Sequence, residues 1–210
     1  MESKKIIIKK RPLYFISKRL FDLLFSFLGF LFFLPLFLII SLLIIIDSKG
    51  SPLFIQNRVG RQGKIFKIIK FRTMRLGPSL KDNAHELYDD DRVTKLGHFL
   101  RTYKLDELPQ LINVFFGSMS FVGPRPLVPE HIKLYNDEQK QVLLIKPGIT
   151  DTASIYFRDE SKMLLESKNP DQTYIKEIIP KKVELNFKYI ENMSFFYDLY
   201  LIIKTIFSIT

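Results

Sequence analysis

Residues 23–46 carry no charge, and of these 24 residues only Ser26, Gly29, Pro35 and Ser41 are not large and apolar. About 20 such residues suffice to cross a bilayer as a helix. A cleavable leader fits poorly, because the run is too long and no small-residue cleavage pattern follows Ile46. The segment is therefore expected in a membrane. Its flanks constrain how it sits there. The chain has 32 Lys and Arg against 22 Asp and Glu, a net charge of +10. Half of those cations flank the run, seven in residues 1–22 and nine in residues 47–81. Positive flanks favour the cytoplasmic side, and a simple span would send one of them outside. Pro35, near the middle, removes a helical hydrogen bond and crowds the preceding turn. The residues alone leave two readings open: a kinked spanning helix, or a re-entrant helix-break-helix that returns both flanks to one side.

The remainder reads as one compact α+β unit, mainly α. Residues 52–71 contain two β-prone runs separated by Gly60-Arg61-Gln62-Gly63, a hairpin pattern. Residues 93–101 and 105–117 show helical spacing, with Leu105, Leu108, Ile112 and Phe115 on one face of the second. The acidic run at residues 89–91 reads as a solvated loop. Gly123-Pro124-Arg125-Pro126 excludes a helix interior. Residues 127–145 are expected to be helical, residues 148–158 loop or short strand, and the chain after Pro170 helical again. The apolar end, residues 194–210, suits a core helix or an interfacial one. The division expected is 1–46, a basic N-terminus with the membrane hairpin, and 47–210, a cytoplasmic membrane-associated catalytic domain.

The chain has no cysteine, which excludes disulfides, thiolate catalysis and zinc-cysteine sites and fits a reducing compartment. The positive charge asks for an anionic partner. No nucleic-acid reader motif is present, nor a Walker loop, a Rossmann glycine pattern or a Gly-x-Ser-x-Gly elbow. His85, His98 and His131 lack metal-ligand spacing and read as surface residues. One pair stands out: Asp106-Glu107, placed at the expected start of a helix, where the dipole favours a carboxylate. Lys104 and Arg101 precede it, and Arg125 follows between two prolines. An aspartate among fixed cations suits attack on a phosphoryl group, with magnesium neutralising the oxygens. Taken alone, the pair reads first as the ordinary acidic start of a helix.

Read together, several spaced motifs resemble a known family. They are Asp91-Arg92-Val93-Thr94, Gly97, Arg101, Leu105-Asp106-Glu107-Leu108-Pro109-Gln110-Leu111, Asn113-Val114, Gly117 and Met119-Ser120-Phe121-Val122-Gly123-Pro124-Arg125-Pro126. Lys18-Arg19-Leu20-Phe21-Asp22, Gln56-Asn57-Arg58, the stretch from Phe66 to Met74, and Lys146-Pro147-Gly148-Ile149-Thr150 extend the match to residues 11–205. The chain resembles the bacterial sugar transferases, small monotopic phosphoglycosyl transferases that start glycan assembly on polyprenyl phosphate.

That resemblance implies transfer of a sugar-1-phosphate from a UDP-sugar to polyprenyl (undecaprenyl) phosphate, with release of UMP. It implies Mg²⁺, a phosphosugar–aspartyl intermediate on Asp106, metal contact by Asp106, and assistance from Glu107. Lys70, Arg101 and Arg125 are expected to contact phosphate. It favours the re-entrant helix bent at Pro35, membrane lipids as surroundings, the cytoplasmic face of the bacterial inner membrane, and no nucleic acid, and it admits a homodimer. The alternative is a non-catalytic membrane scaffold for glycan assembly. Three departures stand out: Leu34, not serine, precedes Pro35; Ser118 replaces an aspartate; and Asp151-Thr152-Ala153-Ser154-Ile155 replaces Gly-x-Ala-Gln-Val. Phe157-Arg158 after it is a candidate substrate contact.

Overall fold

The computed structural model describes Ile6, residues 11–77 and residues 92–209. The acidic run at 89–91, His85 and most of the polar loop at 76–91 lie outside the described residues. The apolar run forms one helix, α1 (Pro12–Asp47), with Pro35 inside it. The expected division into two helices is not present, and the assignment runs unbroken through the proline. At 1.5 Å per residue its 36 residues extend about 54 Å. It is long and apolar enough to cross a membrane. Its buried positions Tyr14, Asp22, Ser26, Phe37, Ile40 and Ile44 fall on one stripe, while Leu13, Leu20, Phe32, Leu38 and Ile46 are among the exposed ones.

The buried stripe follows the rest of the protein from end to end. Arg11 donates to the Met193 carbonyl. Lys18 Nζ lies 2.6 Å from Asp198 Oδ2, and the hydroxyls of Tyr14 and Tyr189 donate to the same carboxylate at 2.9 and 2.6 Å. Arg19 donates to the carbonyls of Val114 and Phe115, both at 2.8 Å. Asp22 accepts from Ser120 Oγ and the Phe121 amide, both at 3.1 Å. Further along, Phe37 meets Phe71 edge-on at 5.6 Å between ring centroids. Arg72 closes the far end, donating to the Ser48 and Lys49 carbonyls at 2.6 and 3.1 Å. Arg19 thus bonds the last turn of the helix that ends at Phe115, and Arg72 the carbonyls at and just beyond the end of α1.

β1 (Leu53–Val59) and β2 (Ile65–Phe71) form the expected hairpin, with Leu53 opposite Phe71 and Val59 opposite Ile65. Its turn uses left-handed Gln62 and Gly63. α2 (Lys95–Thr102) starts at Thr94, whose hydroxyl accepts the Gly97 amide at 2.9 Å, an ordinary N-cap. The helix expected over 105–117 is divided. Lys104 adopts a left-handed conformation, residues Leu105–Glu107 make a single 3₁₀ turn, and α3 (Gln110–Phe115) begins only after Pro109. A proline has no amide to continue the preceding turn but is well tolerated at a helix start. Residues 127–145 also break up, into α4 (Pro129–Ile132) and a 3₁₀ turn over Gln139–Leu144. The side chains of Asn136 and Gln139 each accept the other's amide, at 2.8 and 2.9 Å, and so start a new turn.

β3 (Ser120–Val122) runs parallel to β4 (Gly148–Thr150), with Ser120 beside Gly148. α5 (Thr152–Tyr156), α6 (Glu160–Leu165), α7 (Pro170–Thr173) and a π turn lead into α8 (Ile179–Asn192) and α9 (Phe195–Ile209). α8 packs the main core with Val122, Val142 and Leu201. A second core joins Phe37, Ile40 and Ile44 of α1 to Phe71, Leu100 and Leu111. α9 is two-faced: Asp198 and Leu201 point in, and Phe196, Tyr200, Ile203 and Phe207 form an exposed stripe at helical spacing.

The β3–β4 crossing leaves no room for a side chain. A Cβ on Gly148 would stand 2.1 Å from the Gly123 nitrogen. Gly63 has φ +77° but open space around it. Gly148→Ala is therefore expected to prevent the folded protein from accumulating, whereas Gly63→Ala costs about 1–2 kcal/mol for its left-handed backbone. The yield of folded protein after detergent extraction of both variants, with thermal unfolding of Gly63→Ala, checks the contrast, and equal yields would contradict it.

Candidate active site

Three distant stretches of chain converge on Glu107. Lys70, at the end of β2, places Nζ 2.7 Å from Glu107 Oε1. Arg125, from the Gly-Pro-Arg-Pro loop after β3, approaches both carboxylate oxygens, at 2.5 Å from Oε1 and 3.5 Å from Oε2. Glu107 is buried, and burial works to raise its pKa. Arg125 and then Lys70 outweigh that and hold it far below the usual carboxylate range. Glu107 in turn keeps Arg125 above its ordinary value. Burial lowers Lys70, against the pull of Glu107.

Asp106, the next residue, stands apart. It is equally buried, at 8% exposure, yet among the described residues its carboxylate has no hydrogen-bond or ion-pair partner. Burial raises its pKa and the Glu107 charge adds to the rise, while Lys70, Lys104 and Arg125 oppose it. The two carboxylates thus divide their work. Glu107 holds the cations in place, and Asp106 is left without a protein partner beside them. A buried, unpartnered carboxylate costs stability unless something else uses it.

The supports of this cluster were hidden in the sequence. Asn113 of α3 joins β2 through its side chain: its Oδ1 accepts the Ile69 amide at 3.0 Å and its Nδ2 donates to the Lys67 carbonyl at 2.7 Å. These bonds fix the strand that carries Lys70. Ser118, where the family pattern has aspartate, donates to the Asn113 carbonyl at 3.1 Å, a structural contact. Arg58 donates to the Pro126 carbonyl at 3.2 Å and to Gln56 Oε1 at 2.7 Å. It thereby braces the Arg125 loop with a second cation, and burial followed by the Arg125 charge lowers its pKa. Only the motif containing Arg58 and Asn113 could have flagged them.

Other expected residues lie elsewhere or serve the fold. Arg101 donates from Nε to Thr73 Oγ1 at 2.9 Å and does not join the Glu107 knot. Asp151 caps α5, accepting the Ser154 amide at 2.9 Å and its hydroxyl at 2.5 Å. Phe157 is a core residue with Leu164 and Ile178, and Arg158 is exposed. His131 meets the Tyr174 hydroxyl at 3.3 Å, and His98 meets Thr102 at 3.3 Å, both plain structural roles.

Among the described residues no three Asp, Glu or His side chains converge as a ready cation cage. A magnesium ion commonly uses one or two carboxylates plus the phosphates of a substrate. Asp106, without a partner among the described residues, fits that requirement, whereas Glu107 is already committed to Lys70 and Arg125.

Residues 13–210 match the model of a family described as bacterial sugar transferase. The chain is 35% identical to the exopolysaccharide production protein ExoY of Rhizobium meliloti, over 93% of this chain and 86% of that protein. It is 38% identical to the uncharacterized sugar transferase EpsL of Bacillus subtilis, over 91% and 86%. It is 36% identical to the UDP-glucose:undecaprenyl-phosphate glucose-1-phosphate transferase of Escherichia coli, over 90% of this chain but only 39% of that protein. With nearly its whole length matched, this chain belongs to the bacterial sugar transferase family and is, by that membership, a transferase enzyme.

Proposed function

We propose that the chain transfers a sugar-1-phosphate from a UDP-sugar to undecaprenyl phosphate through a covalent intermediate on Asp106. The observation that carries this reading is the buried Asp106 carboxylate, without a partner among the described residues, beside a carboxylate that has already organised two cations. The Asp106 oxygen attacks the phosphorus that bears the sugar. The bond from that phosphorus to the bridging oxygen breaks, and UMP leaves with the electron pair. An oxygen of the lipid phosphate then attacks the same phosphorus and releases Asp106 as a carboxylate. Lys70 and Arg125 bind the phosphate oxygens in this reading, and Arg58 holds the Arg125 loop. Arg101 contributes to the phosphate-binding surface from its place beside Thr73. Mg²⁺, held by Asp106 and the substrate phosphates, would neutralise charge on the phosphoryl oxygens.

The reaction needs a water-soluble donor and a lipid acceptor at one interface. Two features support a monotopic placement. Both ends of α1 bond the same catalytic unit, through Arg11 and Tyr14 at one end and Arg72 at the other. A helix crossing perpendicular to the bilayer would carry one end about 54 Å away from that unit. Pro35 is on the exposed side of α1. Its ring crowds the turn on that side, so any bend wraps α1 toward the catalytic unit. The exposed apolar faces of α1 and α9 then meet lipid together. With epitope tags at each terminus, both are expected to resist external protease in sealed spheroplasts. Cleavage of the N-terminal tag alone would refute this topology.

Incubated in detergent with UDP-sugars, Mg²⁺ and undecaprenyl phosphate, the protein is expected to release UMP. Asp106→Asn should abolish release and the ³²P-labelled protein adduct formed from donor alone. Turnover by Asp106→Asn would eliminate the covalent route.

The neighbouring carboxylates should differ in stability. Asp106→Asn removes a buried, unpaired charge and should raise the melting temperature by about 2–4 °C, the shift worth roughly 1 kcal/mol in a domain of this size. Glu107→Gln strands Lys70 and Arg125. It should cost about 2–3 kcal/mol, less than a fully buried pair because Arg125 is 42% exposed.

The pH profile has a defined sign. Asp106 attacks only when ionised, and its pKa is raised by burial and by Glu107. Activity should therefore fall on acidification at a higher pH than an ordinary aspartate would give. Glu107→Gln removes one raising influence and frees two cations, so the acid limb of its residual kcat/KM profile should move to lower pH. An unmoved limb would exclude Asp106 as the titrating group.

A further inference from the structure

A second cationic site lies away from the Glu107 cluster. A cavity of about 310 Å³ is lined by Lys18, Arg19, Arg61 and Lys146, with Asp22 the one carboxylate among its lining residues. Its place in the fold is the start of the β3–β4 ladder. Lys146 precedes β4 and Asp22 bonds the start of β3, whereas Arg125 follows the end of β3. Arg19, likewise, caps the C-terminal end of α3, whereas Asp106 and Glu107 precede its N-terminal end.

The cations are not equally occupied. Lys18 is neutralised by Asp198, and Arg19 serves the α3 carbonyls. Arg61 donates from Nε to the Leu144 carbonyl at 3.2 Å. Among the described residues Lys146 Nζ has no hydrogen-bond or ion-pair partner, although burial and the neighbouring Arg19 charge both press it toward the neutral form. An anion here would relieve that crowding. The other walls are apolar, with Phe15, Ile145 and Met193. Phe15, Lys18, Arg19 and Asp22 lie just before the uncharged stretch that begins at Leu23. On the membrane placement proposed above, on which this inference rests, that position is headgroup depth.

The geometry points to a binding site for the phosphodiester headgroup of an anionic phospholipid, separate from the reaction centre. The phosphate sits against Lys146, Arg61 and Arg19, and the first methylenes of its chains lie along Phe15 and Met193. Such a lipid fixes the depth of the catalytic unit at the membrane surface.

Dioctanoyl phosphatidylglycerol, dioctanoyl phosphatidylcholine, farnesyl phosphate and inorganic phosphate are titrated calorimetrically into the full chain in a zwitterionic detergent. Phosphatidylglycerol is expected to bind saturably at one site, at least tenfold tighter than the other three. Lys146→Gln should weaken it at least tenfold and Lys146→Gln with Arg61→Gln further, both with unchanged melting temperatures in the absence of lipid. Asp106→Asn should bind it as wild type does. Equal binding by Lys146→Gln, or loss in Asp106→Asn, would overturn the assignment. Equal binding of inorganic phosphate would show that no lipid is read, and a preference for farnesyl phosphate would give the cavity to the acceptor. Either result also overturns it. The membrane placement is tested apart, by flotation with neutral phosphatidylcholine vesicles: failure to float defeats that reading, whereas flotation without selective phosphatidylglycerol binding defeats only this inference.

Discussion

Glu107 is the point at which the end of a hairpin strand, a proline-bounded loop and a 3₁₀ turn are tied together. None of these pieces is stiff alone. The hairpin strand is short, the turn has three residues, and the loop bears Arg125 between two prolines. One buried carboxylate with two cations fixes all three, because Glu107 and Lys70 are desolvated on folding and losing Glu107 would strand both cations, although Arg125 keeps part of its hydration. The neighbouring supports serve the same end. Asn113 holds the strand, Arg58 the loop, and Gly148 brings β4 close enough to Gly123 to anchor the loop's start.

The membrane helix is built into that arrangement. Arg19 of α1 caps the C-terminal end of α3, and α3 carries Asn113, which holds the Lys70 strand. Asp22 bonds β3, from which the Arg125 loop departs. At the other end Arg72, two residues beyond Lys70, caps α1 itself. A displacement of α1 would therefore be felt at both cations of the site through a few hydrogen bonds. The Lys-Arg-x-x-Asp motif is thus a fastening device as well as a positively charged flank. Its lysine meets Asp198, its arginine α3 and its aspartate β3.

Local pattern was a good guide wherever one physical factor dominated. The long uncharged run, the hairpin and the helix near 93–101 follow from hydropathy, turn residues and helical spacing. It failed at 105–117 and 127–145, where apolar spacing suits a helix but Pro109 and the Asn136–Gln139 pair interrupt it. The site was less legible still. Glu107 lies 37 residues from Lys70 and 18 from Arg125, separations that no periodicity connects: the residues alone offered Arg125 as a nearby cation, and only the family resemblance added Lys70. That resemblance could not distinguish the two carboxylates by environment. Arg101, grouped with the phosphate-binding cations by the same route, bonds Thr73 outside the Glu107 cluster.

Charge balance explains why adjacent carboxylates are useful in the proposed reaction. Lys70 and Arg125 bring two positive charges, which Glu107 and ionised Asp106 cancel. When Asp106 becomes an acyl phosphate it loses its own charge, but the attached phosphodiester brings one back. The cluster therefore remains near neutrality across the covalent step, and no buried charge has to be created or discarded. Had Glu107 been the nucleophile, forming the bond would have cost the ion pairs that hold Lys70 and Arg125 in position. Assigning structure to one carboxylate and reaction to its neighbour avoids that conflict, and the unpartnered state of Asp106 is what that division requires before substrate binds.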